Sequence, residues 1–187
     1  MSSVLSVVSV MAKRHNHYEA AFEAYLRAEQ IPYVAVDERR RALAPGGSLK
    51  SVDFVLSGDD DHEPSWLVDV KGRRFPSGGQ YWRNWTTRDE LRSLRRWADR
   101  FGPRFTAVLL FAYELVGGRS PVSRERVFYH QQRPYAFLAA PAEAYADAAR
   151  TLSPKWDTVA VPAAHFRELA CPADELLAAG LPAGLPG

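Results

Sequence analysis

Nine consecutive residues, Phe105 to Tyr113, run Phe-Thr-Ala-Val-Leu-Leu-Phe-Ala-Tyr without a charge. A strand apolar on both faces needs both faces covered, so this segment belongs inside a sheet flanked by helices. The segments before it fix its partners. Leu91, Leu94 and Trp97 recur at helical spacing after Thr87, a good N-cap residue, with Asp89 and Glu90 in the first turn; Gly102-Pro103 stops that helix near Arg100. Ahead of it, Trp66 to Lys71 reads as a strand stopped by Gly72. Strand, helix, strand is a crossover, which predicts that Phe105–Tyr113 runs parallel to a neighbouring strand.

The chain upstream completes the pattern. Tyr18, Phe22, Tyr25 and Leu26 form one helix face over His15 to Gln30, with Asn16 as cap and Pro32 as terminator. Tyr33 to Val36 and Ser51 to Leu56 read as strands. Between the latter and Trp66 lies an acidic hairpin loop whose tip is Asp59-Asp60-Asp61, read as a solvated turn. Short links make the three strands an antiparallel meander. Downstream, strands are expected at Arg126–Tyr129, Tyr135–Leu138 and Trp156–Val161. Helices are expected from Pro141 to about Arg150 and over Ala163–Ala170. The expected organisation is a disordered extension over 1–14, one domain over 15–180 and a Pro/Gly-rich flexible tail over 181–187. Within the domain, 16–113 is the core and 114–180 an α/β appendage. For 187 residues, 47% of them apolar, one domain with a sizeable core is the natural outcome.

Composition removes several function classes. The single Cys171 permits no internal disulfide and no thiolate metal cage, and fits a reducing, cytoplasmic setting as a small apolar filler. No apolar run approaches the ~18–20 residues a membrane span requires. The mildly apolar start lacks a basic segment before it and is not read as a signal peptide. No phosphate-cradling glycine loop, zinc spacing or nucleophile elbow is present. Net charge is only +2, but its distribution is uneven. Asp53 to Asp69 holds six acidic residues and no Lys or Arg, whereas Lys71 to Arg104 holds ten Lys/Arg and three Asp/Glu. An acidic patch beside a basic stretch suits a cation site facing a phosphate backbone.

Two acids stand inside apolar strands: Asp53 in Ser-Val-Asp-Phe-Val-Leu and Asp69 in Trp-Leu-Val-Asp-Val-Lys. Such placement is costly unless the carboxylate is paired or bound to metal. Strand alternation puts Asp69 and Lys71 on one sheet face, and Asp53 could stand across from Asp69 on the neighbouring strand. Opposed carboxylates repel, which gives a divalent cation a motive to bind. Mg²⁺ or Mn²⁺ accepts a few oxygen ligands and keeps its waters. Lys71 could then position or activate the attacking water, or stabilise developing charge. With twenty Arg and only four Lys in the chain, a Lys at this point suggests a role that guanidinium does not fill. The plainer reading of Asp69 and Lys71 is a strand-edge ion pair.

Asp53, fifteen intervening residues, then Asp69-Val70-Lys71 resembles the PD-(D/E)XK nuclease pattern, although Val52 stands where that pattern has proline. The resemblance spans about Asn16 to Tyr113. It implies an α/β, restriction-endonuclease-like αβββαβ core with a mixed central sheet flanked by helices. His17-Tyr18-Glu19-Ala20-Ala21-Phe22-Glu23 resembles the signature of the bacterial HYExAFE proteins. By resemblance the site comprises Glu19, Asp53, Asp69 and Lys71, with Glu19, Asp53 and Asp69 holding Mg²⁺ or Mn²⁺. Glu23, one turn from Glu19, could replace it, and His17 could cap the helix or touch phosphate. Nucleic-acid contacts are expected from the loop after Lys71 (Arg73, Arg74, Tyr81, Trp82, Arg83) and from a ridge on the second helix (Arg88, Arg92, Arg96). In that loop Trp85 is expected to be buried and Tyr81 or Trp82 more exposed. The implied function is a metal-dependent DNA endonuclease, with a homodimer possible. A non-catalytic nucleic-acid-binding or scaffold protein and an RNA-processing nuclease are the alternatives.

Overall fold

A computed structural model describes residues 16–36, 42–44, 47–57, 64–76 and 81–179. The expected extension, the Asp59–Asp61 tip and the 181–187 tail lie outside these residues. The first helix, α1 (His17–Ala28), starts where its cap was expected: the Asn16 side chain accepts the Tyr18 N–H at 3.1 Å. Gln30 in the left-handed region (φ 57°) and Pro32 end it. There follow β1 (Tyr33–Ala35), the hairpin strands β2 (Ala42–Ala44) and β3 (Gly47–Leu49), then β4 (Phe54–Leu56). The sequence carried no periodic signal for the hairpin.

The long strand β5 (Ser65–Phe75) runs straight through Gly72, which does not stop it. Gly72 instead marks a close approach: a Cβ there would lie inside the Tyr18 ring of α1. After a two-residue strand, β6 (Thr86–Thr87), comes α2 (Arg88–Phe101). Its start is a complete capping box between Thr87 and Glu90. Then β7 (Phe105–Leu115) pairs in parallel with β5 along its whole length, from Ser65↔Phe105 to Phe75↔Leu115, as the crossover predicted.

The later chain extends the same sheet. A 3₁₀ turn (Arg124–Arg126) leads to β8 (Phe128–His130) and β9 (Arg133–Pro141), and β9 pairs antiparallel with β7. Next come α3 (Ala142–Ala148), β10 (Arg150–Ser153), β11 (Thr158–Ala160), α4 (Ala163–Leu169), β12 (Cys171–Pro172) and α5 (Ala173–Ala179). The mixed sheet has the order β1-β4-β5-β7-β9-β12, with β8 beside β9, and β10-β11-β6 forms a second small sheet.

Alternation along the central strands sorts the core. Val68, Val70, Val108 and Leu110 face α1 and α5, meeting Phe22, Tyr25, Leu26 and Leu176. Leu67, Leu109, Phe111 and Tyr113 face α2, α3 and α4, meeting Leu91, Leu94, Tyr145 and Phe166. Half-buried Cys171 packs as filler at the edge of the first layer. Among the described residues no helix is long and apolar enough to cross a membrane.

Candidate active site

The β4–β5 register ends at Phe54↔Val68, so Asp53, the residue before β4, lies beside the Val68–Val70 stretch of β5 that carries Asp69. Asp53 occupies the bend at which β4 begins and is 2% exposed. Its N–H donates to the Val68 carbonyl at 2.9 Å and its own carbonyl accepts from Val36 at 2.9 Å. Its Oδ2 accepts the Val70 N–H at 2.6 Å, so the carboxylate replaces backbone where β4 has run out of ladder. Because Val68 and Val70 point toward α1, Asp69 and Lys71 point to the α2 side.

There the Lys71 Nζ lies 2.6 Å from Asp69 Oδ2 and 3.4 Å from Glu90 Oε1, and the Lys71 and Asp69 side chains are 11% and 15% exposed. Burial disfavours the Lys71 charge, but Asp69, Glu90 and Asp53 outweigh it and raise the ammonium's pKa above its usual value. Three of the expected site residues, Asp53, Asp69 and Lys71, therefore share one neighbourhood.

Glu90 is the group that sequence reasoning passed over. As the N3 residue of α2, its Oε2 accepts the Thr87 N–H and the Thr86 hydroxyl, each at 3.0 Å. Its Oε1 is left facing Lys71 and also Lys50, whose Nζ is 3.2 Å away. Burial would raise the Glu90 pKa, yet the two ammoniums and the Thr hydrogen bonds hold it at about 2. The Thr-x-x-Glu spacing was visible in the sequence, but it identified a helix start and so concealed the second contact.

An unfolded Glu ionises near 4.5, so the ionic contribution of Glu90 is complete above that pH and is lost as the pH falls toward 2. Thermal unfolding of the metal-free protein should lose stability across that window, and Glu90→Gln should flatten the profile. An unchanged profile would mean that Glu90 carries no such charge coupling.

The helix candidates lie on α1. α1 covers the sheet face opposite Asp69 and Lys71. Glu23 is tied to β1, with Oε1 accepting from Tyr33 Oη at 2.9 Å and from Arg27 at 3.0 Å. Glu19 stands on the same flank one turn earlier, beside the Tyr18 that covers Gly72, and accepts from the Asn16 amide at 2.9 Å. The His17 Nδ1 lies 2.9 Å from Tyr135 Oη, and burial lowers the His17 pKa despite the opposing pull of Glu114. That contact anchors the helix start to β9.

The expected nucleic-acid residues divide. Arg73 is a half-buried strut that donates to the carbonyls of Gly72 and Trp85, with its guanidinium 3.9 Å above the Trp85 ring. Arg74, Tyr81 and Arg83 are exposed. Tyr81 is exposed as expected, at 39%, but the expectation of a buried Trp85 is corrected: Trp85 is 38% exposed, while Trp82 turns inward onto Phe75 and Phe166. Arg73 explains the exchange, because its cation takes one face of Trp85 and leaves the ring at the surface. Arg88, Arg92 and Arg96 do form an exposed row, but on the side of α2 opposite Glu90. Arg88 and Arg92 there pair with Asp157 and Asp89 at 3.3 and 3.6 Å.

Among the described residues no three His, Cys, Asp or Glu side chains converge to cage a metal. Asp53 and Asp69, both acting on Lys71, offer oxygen donors of the kind that Mg²⁺ or Mn²⁺ takes while retaining water, and Glu90 stands one ammonium away.

No family model matches this chain, and no curated protein does. Among solved structures it is similar to the Holliday junction resolvase Hjc of Archaeoglobus fulgidus, at 16% identity and a TM-score of 0.51, covering 86% of this chain and 98% of that one. With its mixed sheet between helix layers, the chain has the restriction-endonuclease-like fold.

Proposed function

We propose that the protein is a divalent-metal-dependent endonuclease acting on DNA. The observation that carries this reading is Asp53, at the head of β4, beside the Asp69–Lys71 pair of β5: its Oδ2 takes the Val70 N–H at 2.6 Å, and both acids act on the Lys71 ammonium. Hjc, whose fold it shares, is a Holliday junction resolvase, which favours DNA as the substrate. Asp53 and Asp69 would hold Mg²⁺ or Mn²⁺. When bound, the ion supplies Lewis-acid polarisation of a phosphate and lowers the pKa of water.

The remaining work falls to this chain's own residues. Lys71, kept protonated by its acidic neighbours, serves as a fixed positive charge beside the carboxylates and not as a base. Glu90, braced by Thr86 and Thr87, fixes where that ammonium sits. Glu19 would assist from the α1 side of the sheet, beside the Tyr18 ring that rests on Gly72 of β5.

Incubation with duplex, branched and single-stranded DNA and with RNA, in Mg²⁺, Mn²⁺ or chelator, tests the reading. Metal-dependent cutting of DNA is expected. No cutting of any substrate with either metal would refute it in favour of a binding or scaffold role, and cutting of RNA alone would transfer the substrate.

A further inference from the structure

We infer that the cleft beside Trp85 seats an unpaired nucleobase, so that the protein takes single-stranded DNA next to its carboxylates. This deepens, and rests on, the reading of the site as DNA-cleaving. The cleft, of about 470 Å³, opens between the Tyr81–Trp85 segment and the β10–β11 hairpin, where Leu152 forms the far wall.

Its lining segment is pinned by hydrogen bonds to buried residues of the core. Buried Tyr113 donates its hydroxyl to the Arg83 carbonyl at 2.8 Å, and buried Tyr145 donates to the Asn84 carbonyl at 2.5 Å. The Asn84 side chain exchanges hydrogen bonds with the backbone of Val161, at 2.9 Å to its carbonyl and 2.8 Å from its N–H. A segment fixed by so many buried polar contacts is preorganised, and what it presents is Tyr81 and Trp85, each more than one-third exposed.

The surroundings are cationic. The Arg73 guanidinium stacks on Trp85 at 3.9 Å, and that of Arg119 lies 5.5 Å from the Tyr81 ring. Arg73 is two residues beyond Lys71 on the same strand face, so the cleft adjoins the carboxylate site. Aromatic platforms beside cations are what a strand of phosphates and free bases requires. A paired base has both faces occupied by its neighbours, whereas an unpaired one can stack here. The polar groups of Asn84 are already spent on Val161 and Trp82, so this side chain reads no base edge and the seat is sequence-tolerant.

The test is fluorescence anisotropy with a labelled oligothymidylate and a duplex of equal length, in chelator and at fixed salt, on wild type, Trp85→Ala, Tyr81→Ala and Asp69→Asn. Wild type and Asp69→Asn should prefer the single strand. Each aromatic variant should lose about 10-fold in single-strand affinity, with duplex binding much less affected. A 2-aminopurine base in the strand should be quenched on binding wild type and less so on binding Trp85→Ala. Equal losses for strand and duplex, or no loss in either variant, would overturn the inference. If wild type cuts nothing with metal yet keeps the strand preference and its dependence on Trp85, the nuclease reading falls and the seat stands. If metal-dependent cleavage is indifferent to both aromatic residues, the seat falls and the nuclease reading stands.

Discussion

Asp69→Asn should remove metal-dependent cleavage, lowering the initial rate by at least about 100-fold, while the protein stays folded. The substitution keeps the shape of the side chain and deletes only the charge. At a site built from two opposed carboxylates, that charge is half of what the chain offers a cation. Folding should tolerate the loss because the Lys71 ammonium still has Glu90 at 3.4 Å. Removing one of the two acids that act on Lys71 also relieves repulsion with buried Asp53, so the metal-free variant should melt no lower than wild type by circular dichroism. Lys71→Ala should be equally inactive for a different reason: the carboxylates remain, but the fixed positive charge beside them is gone. Calorimetric titration with Mn²⁺ separates the two, since the Asp69 change should abolish binding and the Lys71 change should not. Full activity in either variant would sink the assignment of the site.

What the sequence yielded, and what it hid, follows from where each signal resides. The core face of α1, the caps at Asn16 and Thr87, and the parallel placement of β7 are local patterns of period and punctuation, and all were legible. That Asp53 and Asp69 both act on Lys71 was legible only as a possibility, because strand register is not written in the local pattern of either strand. Glu90 was hidden because one residue performs two tasks, and its place as an acid in the first turn accounted for it alone. The exposure of Trp85 was hidden because it depends on Arg73, twelve residues away, choosing that ring as its platform. The row of Arg88, Arg92 and Arg96 was correctly periodic, but only the packing of Leu91 and Leu94 could say which way it turned. Strands of two or three residues, such as β2, β6 and β12, are too short to carry a period at all.

The motif around Tyr18 leads to the second large expectation, that Gly72→Ala destabilises the protein by about 3 kcal/mol, toward the upper end of the cost of overpacking. Gly72 lies inside β5, paired with Ala112 of β7, so the strand cannot shift without disturbing the central parallel ladder. The Tyr18 ring rests directly on it, in the space a methyl group would take. The ring is not free to swing aside: it lies tilted against His17 at 3.9 Å and meets Tyr135 edge-on at 6.3 Å. The first turn of α1 must therefore lift, carrying Glu19 and the His17–Tyr135 contact with it. For a chain of this length the loss corresponds to a fall in Tm of roughly 6–12 °C. Cleavage should fall as well if Glu19 serves the site from that turn. The decisive comparison is a double-mutant cycle with Tyr18→Ala, which vacates the space the new methyl would enter. Gly72→Ala should cost far less in that background than in the wild type, a non-additivity expected only of groups in contact. An equal cost in both backgrounds would show that Gly72 is required for its backbone and not for the ring it receives. The His-Tyr-Glu segment would then have to be explained without the seat that joins it to the catalytic strand.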